Sequence, residues 1–230
     1  MIMPSLLAGD FGNLEASARK AEACGGDALH MDIMDAHFVP NLSMGPDVVR
    51  MARRCLGIPL NVHLMMTHPH LYVRAFIEAG ASTLLIHVEA QCDIRATLRQ
   101  IRDLGAAPGL AINPETPVSA LFPWLDEINE VLFMTVHPGF GGQEFMGEVV
   151  PSIAGLCRRL DGPGGARFQA LDIAVDGGIN LRTVEAAAAA GANAFVAGNA
   201  LYTARDMARD AALMRSGAAA AFGRDVFPAA

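Results

Sequence analysis

The segment 78-EAGASTLLIH-87 joins a helical pattern to an apolar run through one glycine, Gly80. Glycine can end a helix in this way because it adopts the left-handed conformation without strain, and a short apolar run after it is typical of a buried strand. The same arrangement recurs in 23-ACGGDALH-30, 104-LGAAPGLAI-112 and 190-AGANAFVAG-198. The recurrence predicts repeated units in which each helix leads directly into the next strand.

Short apolar runs alternate with amphipathic segments along the rest of the chain. The predicted strands are Ile2–Leu6, Ala28–Ile33, Leu60–Leu64, Thr83–His87, Ala107–Ile112, Val131–Val136, Leu171–Val175 and Ala194–Ala197. The predicted helices are Asn13–Ala23, Asp47–Cys55, Pro69–Ala79, Ile94–Leu104, Val118–Trp124, Gly147–Arg159, Leu181–Ala190 and Thr203–Ala220. This α/β alternation predicts parallel βαβ units, and their simplest closure is a (β/α)₈ TIM barrel.

An open doubly wound sheet is the competing architecture. It normally carries a glycine-rich dinucleotide turn after its first strand, and 5-SLLAGDFGN-13 matches that turn poorly. The length of 230 residues suits one barrel domain spanning residues 1–230. The piece 162-GPGGAR-167 is expected to be a surface loop within that domain, because no linker-like stretch divides the chain.

Composition excludes several functional classes. The formal net charge is −7 and no segment gathers basic residues, so a nucleic-acid partner is not expected. No apolar run reaches the roughly 18 residues of a membrane helix, and the first residues lack the pattern of a signal peptide, which predicts a cytoplasmic protein without a membrane partner. The one lysine, Lys20, lies in a predicted helix away from the strand ends. Schiff-base chemistry is therefore not expected, since it needs a lysine amine in the site.

Polar residues stand where several predicted strands end, and barrel active sites lie at that end of the strands. His30 and Asp32 are two residues apart on one strand, so their side chains share a face. His63 and Asp176 end two other strands. Two imidazoles and two carboxylates suit Zn²⁺, Fe²⁺, Mn²⁺ or Co²⁺. The alternative is that these are four unrelated groups, each satisfied by hydrogen bonds.

Three glycine-rich turns follow late strands, at 138-PGFGGQ-143, 176-DGGIN-180 and 198-GNA-200. Glycine lets backbone N–H groups approach a ligand closely, and the loops after the seventh and eighth strands are the usual phosphate site of the barrel. The turns together predict a phosphate-binding cup.

The motifs as a set are similar to those of one known family. They are 4-PSLLAGDF-11, 30-HMDIMDAHFVPN-41, 61-NVHLM-65, 113-NPETP-117, 134-MTVHPGFGGQ-143 and 175-VDGGIN-180. Through them the chain resembles the ribulose-phosphate 3-epimerases over nearly its whole length. The resemblance implies a barrel of the ribulose-phosphate-binding type, a small ketose phosphate as substrate, and a homo-oligomer, either dimer or hexamer.

The resemblance also implies roles for the residues at the strand ends. It makes His30, Asp32, His63 and Asp176 the ligands of one divalent metal ion, Zn, Fe(II), Mn or Co, and Asp32 and Asp176 the catalytic acid/base pair. Inversion at C3 needs a proton removed from one face and another delivered to the opposite face, which two opposed carboxylates can do.

Further positions match the family's substrate contacts. The implied substrate-binding residues are Ser5, His63, Gly139, Phe140, Gly141, Gly142, Asp176, Gly177, Gly178, Gly198 and Asn199. Met34, Met65 and Met134 match an apolar cap that keeps water from the reaction, although methionines there are also typical core residues.

Two departures from the family pattern bear on the substrate. His137 stands where relatives commonly carry Asn, Asp or Glu, and Asn199 stands where Ser is usual. The resemblance favours interconversion of D-ribulose 5-phosphate and D-xylulose 5-phosphate. A six-carbon ketose phosphate such as D-allulose 6-phosphate is the alternative substrate, and a barrel that binds sugar phosphate without catalysis is the alternative from another class.

Overall fold

Within residues 1–161 and 170–222, which the computed structural model describes, eight parallel strands form one sheet. They are β1 (Ile2–Pro4), β2 (Leu29–Met34), β3 (Leu60–Met65), β4 (Thr83–His87), β5 (Ala107–Ile112), β6 (Glu130–Met134), β7 (Asp172–Asp176) and β8 (Ala194–Ala197). The order in the sheet is β1-β8-β7-β6-β5-β4-β3-β2. A parallel bridge between Ser5 and His30 joins the two edges. The sheet is thus a nearly closed barrel, which confirms the predicted fold.

Helices connect most of the strands in the described part of the chain. They are α1 (Leu14–Ala23), α2 (Pro46–Cys55), α3 (Val73–Ala79), α4 (Ile94–Asp103), α5 (Val150–Asp161), α6 (Thr183–Ala189), α7 (Asn199–Tyr202) and α8 (Met207–Ala221). Side-chain oxygens of Asn13, Asp93 and Asp206 accept hydrogen bonds at the starts of α1, α4 and α8. None of the helices in the described residues is long and apolar enough to cross a membrane.

One glycine in each repeated helix-to-strand segment adopts positive φ. These are Gly25, Gly80, Gly105 and Gly191, at +82°, +116°, +91° and +107°. An L side chain is strained in this conformation, whereas glycine is not. The repeated glycine pattern therefore marks the turns from helix to strand correctly.

Several predicted elements differ from the structure in their bounds or type. The segment between β5 and β6 is a 3₁₀ helix, Val118–Glu127, in which Pro123 lacks the N–H that an α-helix would need. The predicted helix from Pro69 begins as a 3₁₀ turn, Pro69–Leu71, and α3 starts at Val73. β1 ends at Pro4 because a 3₁₀ turn follows, capped by Ser5. The loop expected at 162–167 lies outside the described residues.

Alternation along the strands separates two apolar layers. In β2, Leu29, Met31 and Ile33 pack in the large core between strands and helices. A second cluster fills the inside of the barrel and consists of strand residues and their neighbours: Met3, Ala28, Leu85, Ala111, Leu132, Met134, Val136, Ala174, Ala194 and Val196. His30 and Asp32 point to this inner side, because successive strand residues face opposite ways.

Candidate active site

Two histidines and two aspartates converge near the carboxyl ends of three strands. His30 and Asp32 come from β2, His63 from β3 and Asp176 from the end of β7, and each offers one ligand atom within 4.8 Å of the others. Asp32 and His63 are direct neighbours in the β2–β3 pairing. Both imidazoles are fully buried. This group of nitrogen and oxygen donors can hold a divalent metal ion.

Asp32 lies at the centre of the group. Its Oδ1 is 3.2 Å from Nε2 of His30 and 3.3 Å from Nδ1 of His63. Its Oδ2 accepts a hydrogen bond of 2.6 Å from the Ser5 hydroxyl. Asp176 approaches from the other side, with Oδ2 3.9 Å from Nε2 of His30. The carboxylates thus surround the imidazole of His30.

The two imidazoles differ in proton affinity. Burial alone would lower the pKa of His30, but the carboxylates of Asp32, Asp176 and Glu130 raise it to about 9. Burial lowers the pKa of His63 to about 4, so this imidazole is neutral at physiological pH. The raised pKa of His30 shows that the carboxylates favour a positive charge at this position. A divalent cation would supply positive charge at the same place. For the cation to bind, Nε2 of His30 must first lose its proton.

The two aspartates have opposite shifts. Burial would raise the pKa of Asp32, but the imidazoles of His30 and His63 hold it well below its ordinary value. Burial and the negative charge of Asp32 raise the pKa of Asp176 to about 7, against a smaller opposing effect of His30. Two carboxyl groups of unlike proton affinity are thus placed side by side.

The second nitrogen of His30 is held by a buried chain of hydrogen bonds. Nδ1 of His30 is 2.8 Å from Oδ1 of Asn61, and Nδ2 of Asn61 donates to Oε2 of Glu130 at 2.7 Å. Because Asn61 offers an oxygen there, Nδ1 of His30 carries a proton and Nε2 faces the group of donors. Burial raises the pKa of Glu130 to about 7, and its Oε1 has no hydrogen-bond partner among the described residues.

A cavity of about 450 Å³ opens above Asp32 and Asp176. The glycine-rich loop after β6 forms one wall, and two side chains brace it: Asn41 donates to the carbonyl of Gly139, and Gln143 donates to the carbonyls of His137 and Phe140. The loops after β7 and β8 form the wall beside it. The cavity thus combines carboxylates at its floor with glycine-rich backbone at its side.

Gly178 cannot be replaced without rearrangement of this wall. Its φ is +64°, and a Cβ added to it would lie 2.4 Å from the backbone nitrogen of Phe145. Gly177 is similarly confined, since a Cβ there would lie 2.5 Å from a methyl group of Val136. The close packing of the two loops thus requires glycine at both positions.

Comparison with known proteins decides the family. A sequence model described as the Ribulose-phosphate 3 epimerase family matches residues 1–202. The chain belongs to the ribulose-phosphate 3-epimerase family. It is 42% identical over 201 residues to ribulose-phosphate 3-epimerase of Bacillus subtilis, covering 87% of this chain and 91% of that protein. It is 42% identical over 209 residues to the cytoplasmic isoform of ribulose-phosphate 3-epimerase of Oryza sativa subsp. japonica, covering 89% of this chain and 88% of that protein.

The barrel is also similar to solved structures of low sequence identity. The crystal structure of KGPDC from Streptococcus mutans superposes with a TM-score of 0.69 at 14% identity, covering 96% of this chain and 98% of that one. At this identity the similarity concerns the fold alone. The relatives named ribulose-phosphate 3-epimerase are isomerases that act on carbohydrates.

The structure brings the residues predicted for the epimerase site to one place. The cavity is lined by Ser5, Asp32, Met34, Met65, Met134, Gly139, Phe140, Gly141, Gly142, Asp176, Gly177, Gly178, Gly198 and Asn199. His30 and His63 lie buried beside Asp32. Met34 and Met65 are neighbours across β2 and β3 and pack with Val39.

The two departures from the epimerase pattern lie in different settings. Asn199 lines the cavity, and a Cβ on Gly142 would lie 2.6 Å from its Nδ2. His137 lies at the rim with its side chain 63% exposed, and its Nδ1 is 2.9 Å from Oε1 of Glu115. Only the first of the two therefore borders the space for a ligand.

Several residues of this candidate site were not predicted from the sequence, among them Asn61, Glu130 and Arg182. Asn61 and Glu130 lie inside the barrel behind His30, and Arg182 lines the cavity beside the loop after β7. Asn61 precedes His63 by two residues and so shares its face, which is a signal the sequence carries. Glu130 precedes an apolar run. Its hydrogen bond with Asn61 joins residues 69 positions apart, so no local sequence pattern predicts it.

Proposed function

We propose that the protein is a metal-dependent 3-epimerase that interconverts D-ribulose 5-phosphate and D-xylulose 5-phosphate through a cis-enediolate. The observation that carries this proposal is the convergence of Asp32 and Asp176 at the floor of one cavity. They come from β2 and β7, with β1 and β8 between those strands around the barrel. Carboxylates from separate strands can address opposite faces of one carbon, as inversion requires.

Asp32 and Asp176 act as the acid/base pair in this proposal. One carboxylate removes the proton from C3, and the other, as a carboxylic acid, delivers a proton to the opposite face. The reverse reaction exchanges their roles. The Ser5 hydroxyl, which donates to Oδ2 of Asp32, orients that carboxylate.

His30, Asp32, His63 and Asp176 would hold the divalent cation. When bound, it would supply positive charge that stabilises the negative charge developing on the substrate oxygens. Ligand chemistry of this mixed kind accepts Zn, Fe(II), Mn or Co. The methionines Met34, Met65 and Met134 border the same space and would exclude water from it.

The phosphate group would bind at the glycine-rich wall. Gly139, Phe140, Gly141 and Gly142 lie on one side, and the loops after β7 and β8 supply Gly177, Gly178, Gly198 and Asn199. These late loops are the usual phosphate position in barrels of this kind. Arg182, which also lines the cavity, would add a positive charge near a phosphate dianion.

Proton exchange with solvent tests the mechanism. In D₂O the wild-type protein should place deuterium at C3 of the product, and Asp176→Asn should lower kcat by about 10²- to 10⁴-fold. Asp103→Asn, on the exposed face of α4, is the matched control and should leave kcat unchanged. Full activity of Asp176→Asn would exclude this acid/base pair. Absence of both exchange and epimerase activity in metal-loaded wild-type protein would favour a barrel that only binds sugar phosphate.

The substrate is tested by kcat/KM for ketose phosphates of different length. We expect the five-carbon substrate to be preferred. A higher kcat/KM for a six-carbon compound such as D-allulose 6-phosphate would show that the six-carbon compound is the substrate, with the 3-epimerase reaction unchanged.

We further propose that the protein acts in the cytoplasm, as the name of the rice relative states for that protein. A homo-oligomer, dimer or hexamer, stays a prediction. Light scattering coupled to size-exclusion chromatography measures it directly.

A further inference from the structure

His63 contacts a second buried histidine on the side away from Asp32. Nε2 of His63 is 2.8 Å from Nε2 of His87, and Nδ1 of His87 is 3.0 Å from Oε2 of Glu89. Both imidazoles are fully buried. The ring of Phe38 packs against His87, with centroids 4.6 Å apart. The three side chains His63, His87 and Glu89 form a chain of contacts, called here the outer relay, that leads from the proposed metal site to the rim of the barrel.

The carboxylate of Glu89 is held as an acceptor. Its Oε1 accepts from the backbone N–H of Asn113 at 2.9 Å and from the Thr116 hydroxyl at 2.5 Å, while Oε2 faces His87. Burial would raise the pKa of Glu89, but the hydrogen bonds from His87, Thr116 and Asn113 hold it below its ordinary value. An ionised carboxylate can only accept, so Nδ1 of His87 must donate to it.

The other protons of the outer relay follow from the proposed metal site. If Nδ1 of His63 binds the cation, the proton of that imidazole is on Nε2, so Nε2 of His87 must accept it and Nδ1 of His87 is left to donate to Glu89. His63 then has its lone pair on Nδ1, the nitrogen that lies 3.3 Å from Oδ1 of Asp32. Two acceptors facing each other repel unless a cation lies between them. The outer relay thus presents a ligand-ready nitrogen toward the other donors.

We propose that His87 and Glu89 are positioning residues that hold His63 in the tautomer whose Nδ1 lone pair binds the metal ion. The proposal rests on the proposed function, because it concerns a ligand of that same metal site. It extends the function by assigning a role to two residues outside the ligand set. A hydrogen bond to the outer nitrogen of a ligating histidine typically fixes its orientation and its basicity.

Glu89 also anchors the loop that carries Asn113 and Thr116, and this purely structural role must be separated from the proposed one. Glu89→Gln separates them, because an amide has one oxygen and one NH₂. With its oxygen toward Asn113 and Thr116, the amide NH₂ faces His87. Nδ1 of His87 must then accept, Nε2 of His87 donates to His63, and the proton of His63 moves to Nδ1, where it blocks the metal.

Metal affinity gives the first measurement. Competition between the protein and a chelating dye for Co²⁺ should show about 10- to 100-fold weaker binding by Glu89→Gln and His87→Leu. Thr116→Val is the matched control, because it removes another hydrogen bond of Glu89 and leaves the acceptor for His87 in place. Its affinity should stay within about threefold of wild type. His87→Gln, whose amide oxygen can accept from His63, should bind more tightly than His87→Leu.

The tautomer gives a second measurement that needs no metal. Long-range ¹H–¹⁵N spectra of metal-free protein should show a larger share of the tautomer with the proton of His63 on Nε2 in wild type than in Glu89→Gln. The same shares of the two tautomers in both proteins, or an equal loss of affinity in Thr116→Val and Glu89→Gln, would overturn the proposal.

Failure of the proposed function is distinguishable from failure of the outer relay. Wild-type protein that binds no divalent cation would overturn the metal site and this role with it. Tight and equal binding by wild type and Glu89→Gln would overturn the outer relay alone. If His87→Leu does not fold, Glu89→Gln decides, since it preserves shape and volume.

Discussion

Glu130→Gln should make the stability of the metal-free protein less dependent on pH. Glu130 is buried inside the barrel, one of its carboxylate oxygens has no partner among the described residues, and burial raises its pKa from 4.5 to about 7. The folded protein therefore holds this proton more tightly than the unfolded chain does. Stability must fall as pH rises from about 4.5 to about 7, and the loss is complete above that range.

The size of the effect follows from the two pKa values. Each tenfold change in proton affinity corresponds to about 1.4 kcal/mol, so ionising Glu130 costs the fold about 3 kcal/mol. Glutamine cannot ionise, and Glu130→Gln lacks this loss. Any constant effect of the amide itself cancels when the same pair of proteins is compared at two pH values.

Urea unfolding of chelator-treated protein measures the difference. The free energy of unfolding of Glu130→Gln minus that of wild type should rise by about 2 to 3 kcal/mol between about pH 5 and about pH 8. Glu78→Gln removes an equal charge from an exposed position on α3 and should change by less than about 0.5 kcal/mol over this range. Parallel pH curves for wild type and Glu130→Gln would refute the reasoning. A side-chain ¹³C titration of Glu130 with an ordinary midpoint would do so independently.

Three further predictions concern the site and its walls. Gly178→Ala should lower stability by about 2 kcal/mol in chemical unfolding, because of positive φ and the contact with Phe145, whereas Gly147→Ala, with open space around it, should be neutral. Asn61→Leu removes the acceptor for Nδ1 of His30 and should weaken metal binding about 10- to 100-fold in dye competition. Arg182→Met should raise KM for the ketose phosphate about tenfold at little cost in kcat, because it removes a positive charge from the cavity wall.

Each of these has an outcome that contradicts it. An unchanged unfolding curve for Gly178→Ala would mean that the two loops can separate cheaply. Wild-type affinity in Asn61→Leu would show that His30 needs no outer partner. An equal KM in Arg182→Met and in wild type would remove that side chain from phosphate binding.

Local patterns predicted the strands well and the connections less well. β4, β5 and β8 have the predicted bounds, since an apolar run between turn residues leaves little choice of conformation. The segment from Val118 to Glu127 shows the opposite case. Its apolar residues suit a helix, but Pro123 lacks the N–H that a continuous α-helix needs, and the segment takes the tighter 3₁₀ form.

The candidate ligands were accessible to sequence reasoning for a local reason. His30 and Asp32 share a face because strand side chains alternate, and the carboxyl ends of parallel strands meet at one end of the barrel. His87 was visible too, but in isolation it is more typical of a core or rim histidine. Its contact with His63 depends on how β3 and β4 are placed side by side.

The sequence by itself determined the alternation of elements, the turns that need glycine, and the strand ends that carry polar side chains, because each of these is a property of neighbouring residues. Only the tertiary structure decided that Asn61 and Glu130 meet inside the barrel and that Glu89 reaches His63 through His87. Such contacts depend on the stagger between strands around the closed barrel, which sets the height at which distant residues face one another. The stagger comes from packing the whole sheet against its helices, and no short segment contains it.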